Sequence, residues 1–184
     1  VIIAVSLSSS CHHEVNNETA DILEDVESYM NERPDSALTV IQSIGADDLS
    51  SRELKARHAL LLSQALDKNF IDLQSDSIIA PAVKFFEKSG DREALFKAYY
   101  YHARVLSNAG RYTEAMQIYL KAEEMSAKVN DLFAVGLLHS QIGGLNSEYF
   151  NYPKAIEYYQ KAQEYYRQAG KDTHAHVCDL NLAQ

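Results

Sequence analysis

Residues 111–122 read RYTEAMQIYLKA, and residues 151–162 read NYPKAIEYYQKA. Shifted by 40 positions, the two segments place Tyr112 over Tyr152, Ala115 over Ala155, Tyr119 over Tyr159 and Lys121-Ala122 over Lys161-Ala162. Recurrence at such a period is the signature of a supersecondary unit stacked on copies of itself. In the first copy Ala115, Ile118, Tyr119 and Ala122 share one helical face, while Glu114, Gln117, Lys121 and Glu124 face water, which predicts a helix packed on one side. A preceding helix is predicted over 92–108, with Tyr99, Ala103 and Leu106 on one stripe. The turn falls at Ala109-Gly110-Arg111, where Gly110 supplies a left-handed residue to end the helix. In the second copy Gly143 is the small residue of the first helix, and Pro153 lies in the first turn of the second helix, where its missing N–H costs least.

Composition agrees with this pattern. A chain of 184 residues with 46% hydrophobic and 23% charged residues is long enough for one ordinary domain with a sizeable core. Seventeen basic residues against 26 acidic ones give a formal charge of −9, which repels a phosphate backbone and argues against nucleic-acid binding by this segment. Only three prolines and seven glycines punctuate the chain, and no alternating apolar and polar run reaches strand length, so the expected class is all-α. The two cysteines, Cys11 and Cys178, are too few and too distant for a disulfide framework. Val1 in place of Met, and an apolar periodic segment running to Gln184 without a stop signal, suggest a fragment of a longer protein.

The repeat resembles the tetratricopeptide repeat (TPR) family. One match runs through Tyr99, His102, Ala103, Leu106, Gly110, Tyr112, Ala115, Tyr119 and Ala122. The other runs through His139, Ile142, Gly143, Asn146, Phe150, Tyr152, Ala155, Tyr159 and Ala162, with departures from the family pattern at His102, His139, Asn146 and Phe150. A 40-residue spacing exceeds the usual 34 and implies longer helices. The resemblance implies a right-handed superhelical α-solenoid of antiparallel helix pairs, with about nine helices and a concave binding surface. Weaker pairs are expected earlier: a helix around 19–31 followed by PDSALTVIQSI, with Ala37 and Ile41, and a helix over roughly 51–67 followed by IIAPAVKFFEKSGD, with Ala82 and Phe86. The organisation read from the sequence is therefore a leader and tether over 1–17, degenerate pairs over 18–91, two clear units over 92–170, and the first helix of a further repeat over 171–184.

In this family the first helix of each pair lines the groove. Carried over by position, the groove residues are Lys97, Tyr100, Arg104 and Ser107 in one unit and Leu137, Ser140, Gly144 and Ser147 in the next. Lys97, Tyr100 and Arg104 at helical spacing would present two cations and a phenol to an acidic or aromatic peptide, or else form an ordinary solvated face. The family's lysine and asparagine clamp for chaperone tails is not reproduced. Eleven of the 12 tyrosines follow residue 98. Tyr99, Tyr112, Tyr119, Tyr152 and Tyr159 are expected between helices, and Tyr100, Tyr101, Tyr158 and Tyr166 at an interface.

His174, His176 and Cys178 invite a metal reading, but at about 100° per residue His176 points away from the other two, whereas a closed site needs four convergent ligands. Cys178 is expected as a packing residue. No phosphate loop, HExxH or GxSxG motif is present, so neither an enzyme nor a cofactor is expected.

The chain opens VIIAVSLSSSCHHE. An apolar core followed by small residues and Cys11 resembles a bacterial lipoprotein signal, although Leu7 lies four positions before the cysteine rather than three. That resemblance implies lipidation of Cys11 and a cell-envelope location. An ordinary cleaved signal, an N-terminal anchor and a cytosolic protein are the other readings. The function expected is a non-enzymatic, membrane-tethered TPR adaptor binding a protein or peptide on its concave face, of unknown oligomeric state. The alternative is the sensor segment of a signal-transduction or transcriptional regulator whose membrane and output domains follow Gln184.

Overall fold

The structure is a computed structural model that describes the backbone of residues 8–182 and the side chains of residues 18–179. Among the described residues it is all-helical: α1 Ser8–Tyr29, α2 Pro34–Ser43, α3 Arg52–Lys68, α4 Ala80–Ser89, α5 Arg92–Asn108, α6 Tyr112–Ser126, α7 Leu132–Glu148, α8 Tyr152–Gln168 and α9 Asp172–Leu182, with one 3-10 turn over Ala46–Asp48. Each helix packs on the next in sequence, and α1 also touches α3, as α3 touches α5.

The repeat is more regular in the backbone than in the residues. α3, α5 and α7 begin at 52, 92 and 132, forty residues apart, and each is 17 residues long. The same physics starts and stops each of them. Ser51 Oγ accepts from the Leu54 N–H at 3.0 Å, Asp91 Oδ1 from Ala94 at 3.0 Å and Asp131 Oδ1 from Ala134 at 2.9 Å, satisfying an N-terminal donor that has no partner within the helix. At the other end a left-handed residue lets the chain turn back: Phe70 at φ 58°, Gly110 at 72° and Phe150 at 57°. The following N–H then donates back across the turn, Ile71 to the Leu66 carbonyl, Arg111 to Leu106 and Asn151 to Asn146, at 2.8–3.0 Å. Gly110 takes the positive φ that its sequence context demands, and in the next unit a phenylalanine takes it instead. Because α3 keeps both period and caps, the unit over 52–89 shares the 40-residue repeat although its side chains do not advertise it.

The second helices are less uniform. α6 and α8 begin at 112 and 152, with Pro153 in the first turn of α8, whereas α4 begins only at Ala80. The helix expected near 19–31 starts earlier, at Ser8. The side chains of residues 8–17, Cys11 included, lie outside the described residues, as do residues 1–7 altogether.

Three apolar clusters hold the helices together. Leu23, Val26, Met30, Ala37, Ile41 and Leu61 join α1, α2 and α3. The largest runs from α3 to α7 and includes Phe96, Leu106, Tyr119, Leu138 and Ile142, all at most 2% exposed. Ala155, Ala162, Tyr166, Ala175 and Cys178 join α8 and α9. Full burial of one such large side chain is worth roughly 1.5–3 kcal/mol.

Two groups of tyrosines depart from expectation. Tyr112 and Tyr152, placed between helices by the repeat, are 40% and 54% exposed. Each is the first residue of its helix, where the side chain leans over the turn rather than into the stack. Tyr100, Tyr101 and Tyr166, expected at an interface, are buried. α5 packs against α3, α4 and α6, so its adjacent tyrosines on different faces are enclosed, and Tyr166 of α8 packs against Phe133 and His174.

Candidate functional site

Four first helices meet around one small cavity of about 40 Å³. α1 contributes Glu27, α3 contributes Gln64 and Lys68, α5 contributes Lys97 and Tyr100, and α7 contributes Phe133 and Leu137. The sequence-derived groove residues Lys97, Tyr100 and Leu137 are thus brought together, but not as a free cationic stripe. Lys97 Nζ donates to Glu27 Oε1 at 2.8 Å. Arg104 Nε donates to Asp67 Oδ1 at 2.8 Å and Nη1 to Gln141 Oε1 at 3.1 Å, tying α3, α5 and α7 together. Tyr100 is buried beside Tyr101 and Tyr119, and burial pushes its hydroxyl well above the ordinary phenol range.

The serines are elsewhere. Ser107 and Ser147 are half-buried in the last turns of α5 and α7. Ser140, half-buried on α7, faces the α8–α9 side, where it favours the ionised forms of Tyr166 and Cys178 against the larger effect of burial. Gly144 lies near the Tyr159 hydroxyl, which an added Cβ would meet at 3.7 Å.

Glu27, Asn31, Lys97 and Asp131 give the cavity polar walls, and two further polar lining residues, Gln64 and Lys68, were missed by sequence reasoning. Gln64 is buried, and its Oε1 has no hydrogen-bond partner. Lys68 is half-buried and forms no ion pair among the described residues. Burial depresses its pKa, against the pull of Asp67 and Asp131, and Lys171 and Lys97 depress it further. A signal for Gln64 did exist. Shifting Arg104 back by 40 residues, or Gly144 back by two such periods, lands on position 64.

The H-x-H-x-C motif is divided as helical geometry requires. Cys178 packs in the α8–α9 cluster and its thiol is pushed up to about 11, by burial first and then by Asp179. His174 lies against Phe133 and Tyr166 at centroid distances of 4.9 and 5.3 Å, while His176 is 80% exposed. Among the described residues no three His, Cys, Asp or Glu side chains converge as metal ligands, and no helix is long and apolar enough to cross a membrane.

A second concentration of polar chemistry surrounds His139. Its ring is buried and stacks on Tyr158 and Tyr165 at 5.8 and 5.3 Å. Its Nδ1 lies 3.8 Å from Glu123 Oε1, and Glu123 also accepts the Tyr158 hydroxyl at 2.9 Å. Burial, followed by the neighbouring Lys161, lowers the histidine pKa to about 4. The group joins α6, α7 and α8 through ring stacking and a shared carboxylate, and we read it as structural. Comparison of the chain with family models, curated proteins and solved structures found no match.

Proposed function

We propose that the chain is a non-enzymatic scaffold for protein–protein interaction, a right-handed TPR-type solenoid that binds a protein or peptide segment along the face of its first helices. The observation that carries this reading is the cavity where α1, α3, α5 and α7 meet, in which, among the described residues, Lys68 forms no ion pair and Gln64 Oε1 has no donor. A peptide backbone supplies an N–H for Gln64, and a side-chain or terminal carboxylate supplies a counter-charge for Lys68. Repeated helix pairs are suited to such work because each buries its apolar side on its neighbours and leaves an extended face available.

Peptide display against the purified chain tests the reading. Selected sequences should converge, and Lys68→Glu should weaken them by about tenfold or more with helicity unchanged. Selection without convergence, or binders indifferent to Lys68→Glu, would refute it. We further propose that Cys11 is lipidated and holds the array at a bacterial envelope membrane. Stable anchoring takes more than one acyl chain, as a triacylated cysteine provides. Cys11→Ala should then move the full-length protein from the membrane fraction to the soluble one, and unchanged partitioning would sink the idea.

A further inference from the structure

We propose that the groove between α3 and α4 is a docking surface for an acidic amphipathic helix, separate from the face of the first helices. It encloses about 570 Å³. Arg52, Lys55 and Ala56 line it from α3 at i, i+3 and i+4, and Pro81, Lys84, Phe85 and Lys88 line it from α4 at i, i+3, i+4 and i+7. Each set is one face of a helix, so the groove has an apolar floor of Ala56, Pro81 and Phe85 and four cationic side chains along it. No carboxylate lines it. None of the four cations forms an ion pair among the described residues.

This is against the grain of the molecule. The formal charge is −9, yet four of the 17 basic residues gather at one groove without compensation. Acidic residues collect elsewhere: Glu24, Glu27, Glu53, Asp91 and Glu93 surround a separate cavity with Arg57 as its only cation. Glu53 and Arg52 are adjacent on α3 and line different cavities, so the helix sorts its charges by face. Of the two acidic residues closest in sequence to the groove, Glu53 belongs to the acidic cavity, and Glu87 accepts the Tyr99 hydroxyl at 3.0 Å.

Complementarity defines the occupant. A groove between two packed helices receives the ridge of a third, with apolar residues at i, i+3, i+4 and i+7 on the floor and carboxylates beside them meeting the lysines and arginine. An anionic membrane is disfavoured because the net charge repels it and because Phe85 is half-buried in the floor rather than projecting.

The test uses a labelled peptide of about 16 residues, with leucines at that spacing and glutamates between them, and an isomer of the same composition with the spacing scrambled. By fluorescence anisotropy the patterned peptide should bind the whole chain, more weakly as salt rises from about 50 to about 300 mM, and the scrambled isomer should bind markedly less. Lys55→Glu/Lys84→Glu should lower the affinity about tenfold or more with an unchanged circular dichroism spectrum, and Arg52→Glu/Lys88→Glu should do the same should the first pair disturb folding. Lys154→Glu, outside the groove, should have no effect. Equal binding of both isomers, or insensitivity to both double variants, overturns the proposal. So does lysine-dependent binding to phosphatidylserine vesicles without peptide binding, and so does self-association, seen by sedimentation, that the double variant abolishes. Lys68→Glu should leave this binding intact, which keeps the groove distinguishable from the first-helix face.

Discussion

Replacing Gly136 by alanine should destabilise the protein, contrary to what helix propensity alone would give. Gly136 lies inside α7, and an exposed helix-interior glycine changed to alanine gains about 1 kcal/mol. Here a Cβ would lie 2.7 Å from both Cδ1 and Cε1 of Tyr166. That ring is 3% exposed, with Phe133 and His174 against it at 5.8 and 5.3 Å, so it has nowhere to swing. Overpacking of this kind costs about 1–3 kcal/mol, and a contact this short on a ring held from both sides belongs at the upper end, about 2–3 kcal/mol, for a net loss of about 1–2 kcal/mol after the propensity gain and a fall in Tm of about 2–8 °C for a chain of this size. In a Tyr166→Ala background the obstacle is gone, and the same substitution should stabilise by about 1 kcal/mol. The pair should therefore couple by about 2–3 kcal/mol. Urea unfolding of the four proteins, followed by far-ultraviolet circular dichroism, measures this. An increase in stability for Gly136→Ala in the native background, or the same shift in both backgrounds, would refute the packing argument. Gly143→Ala provides a calibration, because its Cβ would meet Tyr159 at 3.0 Å, and its effect should be smaller.

Phe70→Gly should raise stability by about 0.5–1 kcal/mol: the ring is 93% exposed and contributes little packing, while φ 58° costs a side chain more than it costs glycine. A lower urea midpoint would show that the ring has contacts worth more than its strain. Asp131→Ala should cost about 1 kcal/mol by stripping the cap from α7, and Asp131→Asn should restore most of it; equal losses in both variants would point to charge rather than the capping hydrogen bond. His139 sets a pH dependence. With its pKa at about 4 in the fold and about 6.5 unfolded, the unfolded chain binds the extra proton between those values. Its contribution is therefore fully present above about pH 6.5 and is lost as pH falls towards about 4. Thermal melts across that window should fall for the native protein and fall less for His139→Phe, and parallel curves would exclude the histidine as the cause.

What the residues alone determined is the local part of the fold. The helices over 92–108 and 152–168 begin at caps or a first-turn proline and end at turns written into a few adjacent residues, and the 40-residue offset relates one unit to the next. Helix starts and stops are short-range events, so a short-range pattern carries them. The repeat over 52–89 was only faintly legible because capping accepts Ser51 as readily as Asp91, and a left-handed turn accepts Phe70 as well as Gly110.

Tertiary structure decided which side chains are free to act. Lys97 and Arg104 share a helical face in the sequence, but their partners Glu27 and Asp67 lie 70 and 37 residues away. Periodicity identifies an apolar stripe without stating how many neighbours cover the remaining faces, and so α5 encloses Tyr100 and Tyr101 although they point in different directions. The same holds for the cations. Arg52, Lys55, Lys84 and Lys88 are ordinary surface residues in the sequence and become a groove only when α3 and α4 pack side by side, because charge acts through distance in space and the chain's order does not encode that distance.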